Sequence, residues 1–227
     1  MPATTSPSGI IFDAYGTLFD VYAVEAELEL RFPGKGRALA LRWRDKQIEY
    51  SRLRTMSGRY VDFWRLTIDS LEYACEFERA TLTPEIRANL LAIYERLPAH
   101  PEVPAALRAM RGLGIPLAIL SNGNREMLDA VVAAAGFTDL FTHVLSVESV
   151  RKFKTAPEVY ALSTAAFALP ASQLLFVSSN GWDAAGAAWF GHPAYWINRG
   201  AAPRERLDAP LIGEGRTMTD LANFLSA

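Results

Sequence analysis

Two features of the 227-residue chain predict an α/β fold, a Rossmann-like parallel sheet core with an inserted four-helix cap. From residue 101 onward, short apolar runs alternate with helical segments, the rhythm of a parallel sheet whose strands are joined by crossover helices. Between residues 21 and 98 the pattern is helical throughout, yet the β-branched and aromatic run at 10–13 reads as a strand of the same sheet. Residues 1–20 and 99–227 are therefore expected to form the core, and 21–98 a helical cap domain inserted after the first strand.

Taken in order, the first nine residues are polar and lack the charged and apolar regions of a signal peptide, so they read as a loose tail. Strand 10–13 follows. In the cap, a helix from Val21 to Phe32 stops at Pro33-Gly34, and one from Arg37 to Met56 stops at Ser57-Gly58. A third covers Tyr60 to Ala80, and a fourth runs from Pro84 to Leu97, with Thr83 as N-cap and Pro84 in the first helical position. Trp64, Ile68, Leu71 and Cys75 form one packing stripe, and Ile86, Leu90, Ile93 and Leu97 another. Cys75 on such a stripe is a core residue rather than a reactive thiol. Gly34-Lys35-Gly36 has no leading strand and lacks phosphate-loop spacing, which makes it a helix–helix turn. The core continues with helices at Val103–Leu113, Arg125–Ala135, Pro157–Ala168 and Trp182–Phe190, and strands at Pro116–Leu120, His143–Val147, Leu174–Val177 and Ala194–Ile197.

Composition narrows the function. At 50% hydrophobic and 21% charged residues the chain is globular, and its net charge of -2 with scattered Lys and Arg leaves no basic footprint for nucleic acid or an acidic membrane. A small-molecule ligand is expected. One cysteine cannot form an intramolecular disulfide or a zinc site by itself, which fits a cytoplasmic location. No apolar run reaches the length of a membrane span. There is no Gly-x-Ser-x-Gly elbow, and His100, His143 and His192 are isolated, so a serine triad or histidine metal site is unsupported.

Four segments carry polar chemistry. Asp13 ends the first strand on a turn that Gly16 sharpens, the sheet edge where open α/β folds place their sites. On its own it reads equally well as a turn cap. Ser121 and Asn122 end a second strand ahead of a helix N-terminus, a ready anion site. Lys154 precedes a helix carrying Tyr160, and Leu174–Val177 dissolves into Ser178-Ser179-Asn180-Gly181-Trp182-Asp183. Each serine or asparagine alone is most simply a cap; together the four describe one pocket.

These residues resemble the L-2-haloacid dehalogenases of the haloacid dehalogenase superfamily. The resemblance covers nearly the whole chain, through Phe12-Asp13-Ala14-Tyr15-Gly16-Thr17-Leu18-Phe19-Asp20-Val21, the Arg44–Tyr50 segment, Leu120-Ser121-Asn122-Gly123, Lys154 with Tyr160, and Phe176–Asp183. The superfamily's phosphatases place a general acid two positions after the nucleophile and an acidic pair at the fourth motif for magnesium. Here those positions hold Tyr15 and Ser178, leaving Asn180 and the single carboxylate of Asp183. A hard divalent cation needs several anionic oxygens, so no metal and no cofactor are expected.

The resemblance implies hydrolysis of short L-2-haloalkanoic acids to D-2-hydroxy acids, with Asp13 attacking C2 and forming an ester that water then opens. It implies that Lys154 holds Asp13 ionised, that Asp183 with Ser178 and Asn180 positions and deprotonates the water, and that Thr17 supports Asp13. Ser121 and the backbone N–H groups of Ala14, Tyr15 and Asn122 take the substrate carboxylate. It also implies that Arg44, together with the Asn122 amide, accepts the halide and that Tyr160 completes the pattern, while Phe63, Ile48 and Trp182 are expected to wall the alkyl group. Family analogy also implies a homodimer. A phosphatase and a non-catalytic small-molecule-binding protein of the same superfamily are the alternatives.

Overall fold

A computed structural model describes residues 6–226. The first five residues of the expected tail lie outside these, and the rest is not all tail: the Ser8 amide donates to the Gln173 carbonyl at 2.9 Å, and Gly9 already belongs to a strand. Six parallel strands form one sheet in the order β3-β2-β1-β4-β5-β6. They are β1 (Gly9–Phe12), β2 (Leu117–Ser121), β3 (His143–Ser146), β4 (Leu174–Ser178), β5 (Ala194–Ile197) and β6 (Gly213–Gly215). β1 lies centrally, with Ile11 level with Ala118 on one side and Phe176 on the other. All residues of β1, β2, β4 and β5 are buried, as in a sheet covered on both faces.

Between β1 and the rest of the sheet come α1 (Glu25–Arg31), α2 (Gly36–Met56), α3 (Phe63–Phe77) and α4 (Pro84–Tyr94). The sheet's own helices are α5 (Val103–Gly112), α6 (Arg125–Ala134), α7 (Pro157–Phe167), α8 (Gly181–Phe190) and α9 (Met218–Ser226). Thr83 caps α4, accepting from the Ile86 amide at 3.2 Å, and Asp62 caps α3 in the same manner. Gly34 and Lys35 form a turn between α1 and α2, and Gly36 opens α2. Gly34 adopts φ +79°, and Lys35 Nζ donates to the Glu78 carbonyl at 2.7 Å, placing a cation at the C-terminus of α3.

A buried polar relay joins three of the inserted helices. Trp43 Nε1 on α2 donates to the Thr67 carbonyl at 2.8 Å, and Gln47 Nε2 donates to Thr67 Oγ1 at 2.9 Å. From α4, the Tyr94 hydroxyl donates to Gln47 Oε1 at 3.2 Å. Cys75 is buried, and burial pushes its thiol up to about 11, in keeping with a core role.

Several details differ from the sequence reading, among them the ends of α3 at Phe77 rather than Ala80 and of α4 at Tyr94 rather than Leu97. Residues 21–24 form turns, so α1 begins at Glu25. Residues 60–62 precede α3, because Asp62 is extended and caps it. The buried face of α3 centres on Phe63, Leu66, Ser70 and Ala74, which leaves Trp64 and Ile68 half-buried beside it. β6 and α9 were not expected at all, since nothing after Ile197 was assigned.

The position of Ile11 in the central strand makes it a measure of core strength. Ile11→Ala is expected to cost about 2–5 kcal/mol through lost burial and the cavity left behind, against about 1 kcal/mol for Thr83→Ala at the α4 cap. Denaturant titration of both variants is the check; an Ile11→Ala midpoint no lower than that of Thr83→Ala would contradict the ranking.

Candidate active site

The C-terminal ends of β1, β2 and β4 and the loop after β3 converge on Asp13. One carboxylate oxygen, Oδ1, accepts from Lys154 Nζ at 2.9 Å. The other, Oδ2, accepts from Thr17 Oγ1 and from Asn180 Nδ2, each at 2.9 Å. The same Lys154 ammonium donates to Asp183 Oδ2 at 2.9 Å, while the Tyr160 hydroxyl donates to Asp183 Oδ1 at 2.8 Å. Lys154 and Asp183 are 1% and 0% exposed and Asp13 only 6%, so the cluster lies in an environment where charge must be matched internally.

Local structure explains the convergence. Gly16, at φ +93°, turns the chain sharply after β1, which brings Thr17 back beneath the carboxylate four residues earlier. Asn180 is the N-cap of α8, and Asp183 is in that helix's first turn, where a carboxylate is favoured by the exposed N–H groups. Lys154 is fixed by its own backbone, whose amide donates to Asn122 Oδ1 at 3.0 Å, and by Phe153, whose amide donates to Thr55 Oγ1 at 2.9 Å. Gly186 permits the approach of α8 to Tyr160: a Cβ there would lie 2.5 Å from the phenol oxygen.

The charges do not balance to zero, and this shapes their titration. Burial works against the Lys154 ammonium, but the Asp13 and Asp183 carboxylates outweigh it and hold the lysine above its ordinary value. Burial pushes the Asp183 carboxyl above the usual carboxylate range; Lys154 opposes this and the Asp13 charge adds to it. Burial and the Asp183 charge raise Tyr160 well above the ordinary phenol value, so it remains a donor.

Above Asp13 lies a small cavity of about 10 Å³, roughly the space of one water, that the inserted helices close. Asp13, Tyr15, Ser121, Asn122, Asn180 and Trp182 line it from the sheet side. Arg44, Ile48 and Ser51 of α2 and Phe63 of α3 line it from the other. Arg44 is buried, and its Nη2 donates to the Tyr15 carbonyl at 3.0 Å. A wider cleft of about 550 Å³ adjoins the cavity and shares Arg44, Asn180 and Trp182 with it.

The residues expected from the sequence thus come together, with differences in how directly they engage. Asp13, Lys154, Asp183, Asn180, Thr17 and Tyr160 form one bonded cluster. Ser178 is buried beside it, its Oγ accepting from the Asn180 amide at 3.1 Å and so holding Asn180 rather than bonding a carboxylate. Ser121 lines the cavity while its Oγ accepts from the Gly123 amide at 3.1 Å. Ala14 is buried in the turn after β1. Tyr15, at the position of the phosphatase acid, stacks on Tyr94 with ring centroids 5.6 Å apart. Among the described residues, no three His, Cys, Asp or Glu side chains gather as a metal ion would require.

The sequence reading passed over Ser179, Tyr94 and Gln47. Ser179 donates from its amide to Thr17 Oγ1 at 2.7 Å and from its hydroxyl to the Gly16 carbonyl at 2.6 Å. Its place between Ser178 and Asn180 was a usable signal. Tyr94 and Gln47 carried none, because their link is between helices far apart in sequence.

Comparison with known proteins identifies the family. Residues 7–191 match the family model of the haloacid dehalogenase-like hydrolases. An (S)-2-haloacid dehalogenase of Pseudomonas sp. (strain YL) is 47% identical over 191 residues, covering 84% of this chain and 82% of that protein. The crystal structure of an L-2-haloacid dehalogenase superposes with a TM-score of 0.96 at 51% identity, covering 98% of this chain and all (100%) of that one. The enzyme from Xanthobacter autotrophicus with chloropropionic acid covalently bound matches with a TM-score of 0.90 at 34% identity, covering 97% and 99% of the two chains. With a buried carboxylate at the end of β1, a lysine ammonium shared with a second carboxylate, and relatives matched over most of their length, the chain belongs to the haloacid dehalogenase-like hydrolases.

Proposed function

We propose that the protein hydrolyses short L-2-haloalkanoic acids to D-2-hydroxy acids, with inversion at C2, through an ester on Asp13 and without a metal. The observation that carries this reading is the Lys154 ammonium at 2.9 Å from both Asp13 and Asp183. It supplies beside the nucleophile the positive charge that a divalent cation provides in a phosphatase. Tyr15 in place of the phosphatase acid supports the same reading, because a departing halide needs no proton. The relatives named for (S)-2-haloacid substrates, and the one that carries chloropropionic acid covalently, support the substrate class and a covalent route.

In the proposed reaction, residues 21–98 act as a cap domain that closes the cavity over the substrate. Ser121 and the N–H groups of Ala14, Tyr15 and Asn122 hold its carboxylate, and Ile48, Phe63 and Trp182 its alkyl part. An oxygen of Asp13 forms a bond to C2 as the carbon–halogen bond breaks on the opposite face, and Arg44 receives the halide. Asp183, with Asn180 and Ser178 beside it, takes a proton from water as that water attacks the Asp13 carbonyl carbon. The ester C–O bond at that carbon breaks, the proton taken up by Asp183 passes to the departing oxygen, and the hydroxy acid leaves with an oxygen that came from Asp13. The protein is proposed to act as a cytoplasmic homodimer, which sedimentation at twice the chain mass and cell fractionation would check.

Single turnover of L-2-chloropropionate in heavy-oxygen water tests the covalent step: the label should enter Asp13, the first product should be unlabelled, and halide release should survive excess chelator. Label in the first product would mean direct attack by water, and abolition by chelator would favour the phosphatase-like alternative.

The direction of the two shifts fixes the pH profile. Asp183 acts ionised and its pKa is raised, so kcat should fall on acidification at a pH above the ordinary Asp value of about 3.9. Lys154 is also raised; its stabilising contribution is fully present below the ordinary Lys value of about 10.4 and is lost only as pH rises through the higher folded value. A rate profile whose acid limb falls at or below the ordinary Asp value would argue against Asp183 as the base.

A further inference from the structure

Arg199, two residues beyond β5, makes no bond to Asp13 but holds the turn that presents it. Its Nη1 donates to the Gly16 carbonyl at 3.2 Å and its Nη2 to the Thr17 carbonyl at 3.0 Å. Glu102, the N-cap of α5, fixes the guanidinium from behind, with Oε1 accepting from Nε at 3.1 Å and from Nη2 at 2.7 Å. With Arg44 on the Tyr15 carbonyl, three successive carbonyls after the nucleophile each receive an arginine N–H. Gly16 gathers further donors: the Ser179 hydroxyl at 2.6 Å and His100 Nε2, in its protonated-Nε2 tautomer, at 3.2 Å.

This concentration of donors on so few backbone atoms has a consequence for Asp13. Thr17 Oγ1 donates to Asp13 Oδ2, so the direction in which the carboxylate faces depends on where the Thr17 backbone sits. That backbone follows a glycine at φ +93°, a residue with unusual conformational freedom. A planar guanidinium that grips two adjacent carbonyls at once, and is itself held by a carboxylate, removes that freedom in a way a single-point cation cannot.

We propose that Arg199, held by Glu102, is a positioning residue for the dehalogenation step, setting the aim of Asp13 through the Gly16 and Thr17 carbonyls. This rests on the dehalogenase reading above. In-line displacement is sensitive to such aim: a misplacement of about 1 Å can cost on the order of 100-fold in rate. Because Arg199 does not line the cavity above Asp13 in which the substrate is proposed to sit, its loss should act on the chemical step more than on ground-state binding.

The test compares wild type, Arg199→Ala and Arg199→Lys on L-2-chloropropionate. Arg199→Ala should lose kcat toward about 100-fold with a much smaller change in KM, and Arg199→Lys, which restores the charge but not the planar two-carbonyl fork, should fall between it and wild type. The cleft of about 550 Å³ lined by Gly16, His100 and Arg199 gives solutes a path to the vacated place, so guanidinium at sub-denaturing concentration should recover part of the Arg199→Ala rate and none for wild type. A purely structural role would give a loss that follows the unfolded fraction, with no recovery by guanidinium, and would overturn the proposal. Should Arg199→Ala fail to fold, Arg199→Lys decides, since a wild-type kcat there refutes a need for the two-carbonyl grip. An active wild type with unaffected variants overturns this inference alone, whereas a wild type silent on every haloacid overturns the dehalogenase reading with it.

Discussion

A lysine ammonium shared by two carboxylates in near-complete burial is the interaction on which the rest of the site depends. Three charges there sum to one negative, and removing the ammonium from such a cluster costs about 3–5 kcal/mol because the two carboxylates then stay buried without a counter-charge. The fold supports the arrangement by satisfying the other lone pairs: Thr17 and Asn180 on Asp13, Tyr160 on Asp183. Phe176 lies beneath the ammonium, its ring centroid 5.0 Å from Nζ, adding an attraction that does not compete for protons. Geometry this complete holds the Asp13 carboxyl group at the cavity wall before any ligand arrives.

Topology delivers these groups to one place. β1 lies between β2 and β4, so the turn after it is flanked by the Ser121–Asn122 end on one side and the Ser178–Asn180 end on the other. That is the switch point at which open parallel sheets reverse their strand order and leave a crevice. The inserted helices then supply what the sheet cannot, namely Arg44 and a set of apolar walls. The Trp43–Thr67–Gln47–Tyr94 relay makes three of those helices a unit that holds Arg44 in register with the sheet.

Much of this was legible in the sequence because it is written in local signals. Strand ends that turn from apolar to small polar residues gave Asp13, Ser121 and Ser178, and cap chemistry gave Thr83 as a helix start. Arg44 was legible only through family resemblance, since nothing in a helical arginine distinguishes a buried guanidinium from a solvated one. β6 is three residues, Gly-Glu-Gly, with no apolar alternation to reveal it. Arg199 and Glu102 meet across 97 residues, and no period or spacing encodes such a pair. Trp64 and Ile68 pack against the core only at the edge of the buried face of α3, because the stripe reading counted hydrophobicity and overlooked Thr67 and Ser70, small polar residues that sit buried in the helix contact.

The two halves of the proposed reaction place opposite demands on water, and the site separates them in space. Displacement of halide is favoured where Asp13 is stripped of hydration, and the cavity side offers Tyr15, Ile48, Phe63 and Trp182 to that end. Tyr15 is especially apt: stacked on Tyr94 and 6.2 Å from the Phe63 ring, it fills with an aromatic body the place where a phosphatase needs a proton donor. Ester hydrolysis, by contrast, requires one oriented water and a base that will accept its proton. Asp183 does not line that cavity and is tied to Asp13 through the shared Lys154 ammonium, and its raised pKa makes it a better proton acceptor than an ordinary aspartate. The lysine between them is what lets a dry nucleophile and a proton-accepting carboxylate share one buried cluster, since each screens its charge against the same ammonium.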